Sequence, residues 1–331
     1  MDAIVLVGGL GTRLRPLTWG RHKSLVPVCN RPAIDYLFEW LGRAGMRRVV
    51  LALGMHNEDL ATTYEGSRPA GMELVIVREH QRLESGGAIR NAVSEAGIDG
   101  RFVVVNGDVF VDFDFGKCLA THEATAADLT IALYPVSEPW MFGVAAVDGE
   151  GMVTGFVEKP RRGEEPGNLV NAGVWIFEPG LVDQIPTGAV RVEETLFPSL
   201  VARRRPVLGF RFDGLWADIG TPARYLELNC ALLNGGNSLG KDLNIFPSAI
   251  VTGSSVGSRC TIHDRATISD SILWEGVSVG VGAAIKESIV ADGVSIGEGA
   301  RLTGAVVGAG VVISPGAVLE AGASVEPGTT V

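Results

Sequence analysis

The C-terminal quarter of the chain carries a six-residue repeat of aliphatic side chains, and few folds can accommodate that period. The repeat runs through Ile250, Val256, Ile262 and Ile268, then Val279 and Ile285, Ile296 and Leu302, and finally Ile313, Leu319, Val325 and Val331. A period of six fits neither an α-helix nor simple strand alternation. It fits a coil whose flat faces each take one hexapeptide with the aliphatic side chain pointing to the axis. The repeat therefore predicts a parallel β-helix over residues 248–331, with about four or five coils of roughly 18 residues. Slips near 270–276, 287–290 and 303–307 are interpreted as loops or shortened turns.

The first two thirds of the chain have a different pattern, in which short β-rich runs alternate with helical ones. Residues 3–7, 48–53, 72–77 and 102–106 predict buried strands, and a helix is expected from Pro32 to Gly45. Such alternation is typical of βαβ units, so we expect an α/β domain with a Rossmann-like, mostly parallel sheet. The predicted domains are 1–234, a linker at 235–247 and the β-helix at 248–331. Ligands of such sheets bind at the carboxyl ends of strands, where the loop after residue 7 and the pair Gly107–Asp108 lie.

Composition and the absence of targeting patterns indicate the cellular compartment of the protein. The 331 residues are 46% hydrophobic and 20% charged, as in an ordinary globular protein. The N-terminal residues lack the basic front of a signal peptide, and no apolar run is long enough to span a bilayer. The four cysteines are far apart and form no CxxC pair, which argues against a disulfide framework or a zinc site. We expect a cytoplasmic protein without a membrane partner.

A basic loop stands against the acidic balance of the chain. The net charge is -10, yet there is no acidic residue between Ala3 and Ile34, where Arg13, Arg21 and Lys23 fall. This local reversal favours a small polyanion over a nucleic acid, whose long backbone would need a wider basic surface. The stretch fails both the GxGxxG and the P-loop patterns. What is left is a glycine turn followed by spaced cations, which can grip phosphates, or a basic surface loop with no ligand.

The motifs together resemble the sugar-1-phosphate nucleotidyltransferases, also called nucleotide-sugar pyrophosphorylases, and among them the mannose-1-phosphate guanylyltransferase branch. The resemblance rests on "GGLGTRLRPLT" with a downstream "KSLVPV", on "VVNGDVF", on "FGVAAVDGEGMVTGFVEKP", on "NAGVWIFEP" and on "WADIGTPARYLELN". A C-terminal left-handed β-helix is also usual in several branches. His22 stands where the family usually has proline before the signature lysine.

The resemblance implies attack by a sugar-1-phosphate oxygen on the α-phosphorus of a nucleoside triphosphate, with release of pyrophosphate. Such a reaction between two anions needs positioning and charge neutralisation. By resemblance, Arg13 and Lys23 would grip the triphosphate, and Lys159 would hold the phosphate of the sugar. Asp108 and Asp218 would bind Mg²⁺, for which carboxylates are suitable ligands. Read without the family, Asp108 and Asp218 could each be an ordinary turn residue.

The remaining site residues also follow from the resemblance. The implied nucleotide-binding residues are Gly8, Gly9, Gly11, Thr12, Glu79, Ser85 and Gly86. The implied sugar-phosphate residues are Gly143, Glu158, Lys159 and Asn171. Glu79 falls where guanylyl members tend to have an acid, and a carboxylate can accept hydrogen bonds from two adjacent donors of guanine. Guanylyl transfer to a mannose-1-phosphate-like substrate is therefore favoured, while other triphosphates and other hexose or cyclitol phosphates stay open.

Two further hypotheses are alternatives to an active nucleotidyltransferase. The chain could be a catalytically silent regulatory or assembly subunit, although the cations and acids of the motifs are retained. It could also carry an acyltransferase site on the β-helix, for which His263 is the only histidine in that region. We also expect a homo-oligomer formed through the β-helix, because its coils expose flat faces.

Overall fold

The computed structural model describes residues 1–55 and 57–331, and the chain divides into two compact units. The first unit comprises Met1–Gly9 and Ile34–Trp216, and the second comprises Leu10–Ala33 and Ala217–Val331. The basic loop therefore clusters with the C-terminal part of the chain and not with the α/β sheet. Within residues 1–55 and 57–331, no helix is both long enough and apolar enough to cross a membrane.

In residues 33–124 helices and strands largely alternate as the sequence predicts, whereas residues 129–177 hold four successive strands with no α-helix between them. The strands are β1 (Asp2–Val7), β2 (Pro27–Val28), β3 (Arg31–Pro32), β4 (Arg48–Leu53), β5 (Glu73–Arg78), β6 (Phe102–Asn106), β7 (Val109–Asp112), β8 (Leu129–Pro135), β9 (Gly143–Val147), β10 (Val153–Glu158), β11 (Leu169–Phe177), β12 (Val207–Arg211) and β13 (Leu215–Asp218). The helices are α1 (Ala33–Arg43), α2 (Glu58–Tyr64), α3 (Glu84–Ala96), α4 (Phe115–Ala124), α5 (Leu196–Ala202) and α6 (Pro222–Leu233). Pro32 ends β3 and does not open α1.

The first unit is built on one twisted sheet with the order β10-β9-β11-β6-β1-β4-β5, to which β8 and β12 add through β11. The strands β6, β1, β4 and β5 are parallel, whereas β11 runs antiparallel to β6, β8 and β9. Ile4, Val104 and Trp175 are fully buried in its core. The near-continuous apolar runs in β1, β4 and β6 are what a parallel sheet covered on both faces requires.

The C-terminal part of the second unit is a stack of coils with three all-parallel faces. One face is formed by β14 (Ser238–Leu239), β17 (Ser255–Val256), β20 (Ile272–Leu273), β23 (Ile289–Val290), β26 (Val306–Val307) and β29 (Ser324–Val325). The second is formed by β15 (Asn244–Ile245), β18 (Thr261–Ile262), β21 (Ser278–Val279), β24 (Ser295–Ile296) and β27 (Val312–Ile313). The third is formed by β16 (Ile250–Thr252), β19 (Thr267–Ser269), β22 (Ala284–Lys286), β25 (Arg301–Thr303) and β28 (Val318–Leu319). The three sheets are consistent with a left-handed β-helix.

The coil stack begins earlier than the sequence predicts. The segment 235–247 was expected to be a linker, but β14 and β15 lie in it and pair with β17 and β18. The face that starts at β14 therefore has six strands, one more than the upper estimate of the coil count. At the same edge the predicted inward residue Ile250 is 57% exposed, and the neighbouring Val251 pairs with Ile268. The inward position of this coil is shifted by one residue.

A ladder of buried serines fixes the shortened corner of the coils. Ser254, Ser271 and Ser288 recur every 17 residues and are buried. Each hydroxyl donates to the carbonyl two residues before it at 2.7 Å and accepts the amide N–H of the equivalent residue in the next coil at 3.0–3.1 Å. Because every buried polar atom in the ladder has a partner, the corner is stable inside an apolar stack. The slips predicted near 270–276 and 287–290 are these corners.

Candidate active site

Close backbone approach shapes the carboxyl ends of β1 and β4. A Cβ placed on Gly54 would lie 2.8 Å from the Gly8 carbonyl oxygen, so only glycine fits there. A Cβ placed on Gly8 would lie 3.7 Å from Glu79 Oε1, which puts the predicted base-binding acid beside the predicted glycine turn. Gly9 is exposed at the end of this segment of the first unit.

Glu79 is a buried carboxylate held in place by backbone. It follows β5, its N–H donates to the Leu53 carbonyl at 2.9 Å, and its Oε2 accepts the Leu83 N–H at 3.3 Å. Burial raises the pKa of this carboxyl, which outweighs the lowering effect of the Leu83 hydrogen bond. The second oxygen, on the Gly8 side, is therefore positioned to accept from a ligand that can supply compensating donors.

The start of α3 is tied to the segment before α5. The Gly86 N–H donates to the Val190 carbonyl at 2.8 Å, and the Ser85 hydroxyl donates to Glu193 Oε2 at 2.5 Å. Glu193 is half-buried, and desolvation raises the pKa of its carboxyl despite the hydrogen bond from Ser85. The Ser85 hydroxyl and the Gly86 amide are thus engaged within the protein, where they hold α3 in place. Glu84, the first residue of α3, has a left-handed φ of 56°.

Asp108 lies in the turn that follows β6. The preceding Gly107 donates its N–H to the Leu6 carbonyl at 2.9 Å, and a Cβ placed on it would be 2.3 Å from Val7 Cγ1. A side chain at position 107 would therefore collide with β1, and glycine lets the turn close over the carboxyl end of that strand. Asp108 is half-buried at that end of the sheet.

The predicted sugar-phosphate residues meet at one end of the β9–β10 hairpin. Gly143 and Glu158 are register partners, and a Cβ on Gly143 would lie 2.6 Å from Glu158 Oε2. Lys159 Nζ is 3.4 Å from Glu158 Oε1, and the Lys159 N–H donates to the Phe142 carbonyl at 3.0 Å. The Lys159 side chain is 57% exposed, so its ammonium group can reach a ligand phosphate.

Asn171 reaches the same end of the sheet from β11. The pairs Leu169–Ala145 and Val170–Val144 bring the next residue of β11, Asn171, to the end of β9 that starts at Gly143. Asn171 Oδ1 accepts the Gly173 N–H at 3.0 Å and the Trp175 indole N–H at 2.7 Å. Both partners can only donate, so the side-chain oxygen must face them and the amide N–H₂ faces elsewhere. Asn171 therefore offers donors, which suit sugar hydroxyls.

In the second unit, the glycine turn brings a cation next to the signature lysine. Gly11 has a left-handed φ of 60°, and residues Thr12–Leu14 form a single 3₁₀ turn on which Arg13 is exposed. A Cβ on Gly11 would lie 3.1 Å from Lys23 Cβ, so the Gly11–Arg13 turn and Lys23 pack together. The Thr18 hydroxyl donates to the Gly11 carbonyl at 2.9 Å and closes the loop.

Asp218 lies beside Arg13 within the same unit. A Cβ placed on Gly220 would lie 2.8 Å from Asp218 Oδ1 and 3.0 Å from Arg13 Nη2, so both groups border the same glycine. Asp218 Oδ2 also accepts from Arg224 Nη1 of α6 at 3.0 Å. The structure therefore brings Arg13, Lys23 and Asp218 into one neighbourhood, while Asp108 belongs to the first unit.

The histidine at the family's proline position keeps the loop geometry. His22 has a φ of -61°, which is the value a proline ring would impose. Its Nδ1 accepts the Ser24 N–H at 3.2 Å and caps the 3₁₀ turn that begins at Lys23. His22 is 6% exposed, so packing and the cap replace the constraint of the ring.

Sequence reasoning missed two residues near the sugar-phosphate positions. The Glu158 carboxylate repels that of Glu193 and so adds to the raised pKa of Glu193. No motif in the sequence pointed to Glu193. Trp216 donates its indole N–H to the Ala172 carbonyl at 3.0 Å and packs edge-on to Phe142, with ring centres 5.3 Å apart. Trp216 is the first residue of the motif "WADIGTPARYLELN", but nothing in the sequence assigned it a role of its own.

Comparison with known proteins agrees with this architecture. The family described as nucleotidyl transferase matches residues 2–235, and the LbH domain of the EIF2B epsilon subunit matches residues 225–330. The mannose-1-phosphate guanylyltransferase of Mycobacterium tuberculosis is 33% identical over 71% of this chain and 65% of its own length. The catalytic subunit beta of the Drosophila pseudoobscura enzyme is 34% identical over 70% of this chain and 62% of its own length. The chain thus spans slightly less than two thirds of these relatives.

A solved structure shows the same relationship. HddC from Yersinia pseudotuberculosis, crystallised in complex with GMP-PN, is 25% identical with a TM-score of 0.60 and covers 70% of this chain and 99% of its own. The family match takes in well over half of the residues, including every motif from the glycine turn to "WADIG". The chain belongs to the nucleotidyl transferase family.

Proposed function

We propose that the chain is a sugar-1-phosphate nucleotidyltransferase that converts a nucleoside triphosphate and a sugar 1-phosphate into a nucleotide sugar and pyrophosphate. A phosphate oxygen of the sugar 1-phosphate forms a bond to the α-phosphorus. The bond between the α-phosphorus and the oxygen that bridges to the β-phosphorus breaks, and pyrophosphate leaves. No protein nucleophile is needed, because the protein's work is to align two anions and neutralise their charge.

The observation that carries this proposal is the grouping of Arg13 and Lys23 around the glycine turn of an otherwise acidic chain. Arg13 would neutralise charge that develops on the leaving pyrophosphate, and Lys23 would hold the triphosphate. Gly11 and Thr12 supply backbone groups of the turn that can face an anion. Loss of one such contact typically lowers the rate about a hundredfold or more. Arg13→Ala should therefore reduce kcat by about that factor.

Members of the family generally use a divalent metal ion, and we propose Mg²⁺ with Asp108 and Asp218 as its protein ligands. Both are carboxylates, which Mg²⁺ prefers, and Mg²⁺ typically takes one or two of them together with phosphate oxygens and water. Both Asp218 oxygens border Gly220, and one of them also accepts from Arg224. When bound, the metal would neutralise phosphate charge. Asp108→Asn should abolish metal-dependent turnover while the thermal unfolding midpoint stays near that of the parent.

We propose that Glu79 selects guanine and that Gly8 and Gly9 leave room for the base. A carboxylate can accept from both N1–H and the 2-amino group of guanine, whereas other bases lack that donor pair. The names of the relatives and the GMP-PN complex of HddC support a guanine nucleotide. Ser85 and Gly86 would act by holding α3 behind this position.

We propose that the sugar phosphate binds at the end of β9, β10 and β11. Lys159 would grip its phosphate, while Glu158 would accept from sugar hydroxyls and Asn171 would donate to them. Gly143 keeps the Glu158 carboxylate at this position because any side chain would displace it. The names of the relatives favour mannose 1-phosphate as the acceptor. Lys159→Ala should raise KM for the sugar phosphate far more than KM for the triphosphate.

The deciding experiment is a panel of five nucleoside triphosphates against several hexose 1-phosphates with Mg²⁺, with pyrophosphate release as the readout. We expect GTP with mannose 1-phosphate to give the highest kcat/KM. Activity with another pair would correct the substrate assignment and leave the reaction class intact. No release with any pair would refute the enzyme and favour a silent regulatory or assembly subunit.

We also propose that the protein is cytoplasmic and self-associates through the β-helix. Its four cysteines are free thiols, as expected in a reducing compartment. Val312 and Val318 point outward from the coils and are 47% and 56% exposed, which leaves apolar area available for contact. Sedimentation should show an oligomer at micromolar concentration, and a monomer there would contradict this part of the proposal.

A further inference from the structure

The cationic side chains of the basic loop lie in two different environments. Arg13 and Lys23 lie at the glycine turn, whereas Arg21 faces the β-helix. Arg21 Nη2 donates to Asp292 Oδ2 at 2.8 Å, and its guanidinium carbon lies 4.7 Å from the centre of the Trp274 ring. The Arg21 and Asp292 side chains are each only 33% exposed, so this ion pair is better shielded from solvent than a surface pair. Arg21 is thus held from two sides by coil residues.

The coil partners of the loop are themselves fixed and lie on different coils. Asp292 Oδ1 accepts the Glu275 N–H at 3.1 Å, and Trp274 is 2% exposed. Trp19 adds a third attachment, because its indole N–H donates to Glu326 Oε2 at 2.5 Å. In the ladder of coil-to-coil hydrogen bonds, Trp274 lies on one coil, Asp292 on the next and Glu326 two coils further on. The segment from Trp19 to Arg21 is therefore attached to several coils at once.

The far end of the loop is anchored to the first coils as well. Asn30 Nδ2 lies 3.0 Å from three acceptors, which are the carbonyl and hydroxyl oxygens of Ser238 and the carbonyl of Val256. Asn30 Oδ1 accepts from the Ser255 hydroxyl at 3.2 Å. The loop that contains Lys23 is thus tied to the β-helix on both sides of that lysine.

A hydrogen-bond chain and a loop closure carry these attachments towards the proposed triphosphate site. The Trp274 indole N–H donates to the Tyr225 hydroxyl at 3.0 Å, and that hydroxyl donates to the Pro27 carbonyl. On the other side, Thr18 is joined to Gly11 by its hydroxyl. A shift of the Trp19–Arg21 segment would therefore be transmitted through Thr18 to the glycine turn.

We propose that Arg21 is a positioning residue, which, through Asp292 and Trp274, uses the β-helix as the scaffold that orders the loop bearing Arg13 and Lys23. The kinetic part of this inference rests on the roles proposed above for those two cations. A loop held in its binding conformation before the ligand arrives loses less conformational entropy on binding, so the triphosphate binds more tightly. The sugar-phosphate residues of the first unit should not be affected.

The test compares Arg21→Gln, Asp292→Asn and the double variant with the parent chain. The matched control is Arg259→Gln, which breaks the ion pair of Arg259 Nη1 with Glu275 Oε1, a coil pair at 2.5 Å that includes no loop residue. We expect each single variant to raise KM for the triphosphate on the order of tenfold, with KM for the sugar phosphate within about twofold of the parent. The double variant should lose no more than either single one, because both act through one contact. Arg259→Gln should behave as the parent.

Hydrogen exchange without substrates provides a readout that does not depend on the proposed reaction. Amides of residues 11–25 should exchange faster in Asp292→Asn than in the parent and in Arg259→Gln. If the parent releases no pyrophosphate but this exchange difference is seen, the anchoring stands and the proposed reaction fails. If exchange in residues 11–25 and KM for the triphosphate are both unchanged in Asp292→Asn, Arg21 is not a positioning residue.

Discussion

Adding one methyl group at Gly143 should impair sugar-phosphate use specifically. The new Cβ would lie 2.6 Å from Glu158 Oε2 and 2.7 Å from the Phe156 ring. Ordinary contact begins near 3.4 Å, so both contacts are too close, by about 0.8 Å at the carboxylate and about 0.7 Å at the ring. Phe156 is buried against the core and has little freedom to move, so the backbone at residue 143 should shift away from the ring, and the Glu158 carboxylate should be displaced as well.

The expected size follows from that displacement. A misplacement of about 1 Å at a substrate-positioning group can lower the rate about a hundredfold, which corresponds to about 2.7 kcal/mol of transition-state stabilisation. We therefore expect Gly143→Ala to lower kcat/KM for the sugar phosphate by roughly that factor, with KM for the triphosphate little changed. The crowding should also lower the free energy of unfolding by about 1–3 kcal/mol.

The control is Gly155→Ala in the same hairpin. There the nearest atom to the added Cβ is Ala146 Cβ at 3.7 Å, which is ordinary contact. Pyrophosphate release at varied sugar phosphate and saturating triphosphate, together with urea unfolding, measures both effects. If Gly143→Ala is folded and its KM and kcat match those of Gly155→Ala, the steric account of the sugar site is wrong.

Three other predictions concern groups that are wholly or partly buried. Desolvation opposes the charge of Glu178, but two hydrogen-bond donors including His122 outweigh it and lower its pKa; Glu178→Gln should therefore lower the free energy of unfolding by about 2 kcal/mol at pH 7. Urea titrations should show this difference shrinking as pH falls below about 4.3, and a constant difference would contradict it. Burial raises the pKa of Glu79 above the ordinary glutamate value of about 4.3, so KM for GTP should already begin to rise above that pH as the pH is lowered. In Glu79→Gln, KM for GTP should not change with pH in this range, and kcat/KM with GTP should be about tenfold lower. Ser271→Ala leaves a buried amide of the next coil without its acceptor, and thermal unfolding should show a loss of about 1–3 kcal/mol that the exposed Ser295→Ala does not show.

The β-helix was predictable because its interior repeats one physical requirement. Aliphatic side chains such as Ile262, Val279 and Ile296 must fill the same narrow axis in every coil, and all three are buried. The edge of the stack is different, because a first coil has a neighbour on one side only. Residues there can be exposed. For this reason Ile250 was wrongly predicted to point inward, and Leu239, at 51% exposure, did not mark the start of the coils.

The corners escaped sequence reading for another reason. The shortened corners use left-handed residues, with φ of 47° at Asp270 and 48° at Glu287, where a turn pattern would suggest glycine. The serine ladder compensates for these corners by pairing the buried amides. Its 17-residue interval is visible in the sequence only once the strand register is known.

In the site, glycines and motifs were easier to predict than partners. Gly143 was selected by resemblance, and the structure supplies the physical reason in the contact with Glu158. The use of Arg21 could not be foreseen, because Asp292 is 271 residues away in sequence and nothing local distinguishes Arg21 from Arg13. A cation in a basic loop does not reveal from sequence alone whether it serves a ligand or the fold.

The number of coils between Asp292 and Glu326 sets the distance between the two points at which the basic loop is attached to the β-helix. Successive parallel strands are about 4.8 Å apart, so the two attachment points for Arg21 and Trp19 are separated by roughly two such steps. Removing or inserting one whole coil between them would preserve the stacking and the hydrophobic axis, yet it would change that length by about half. We therefore expect a coil inserted after Glu326 to leave both attachments intact, and a coil inserted between Asp292 and Glu326 to break one of them.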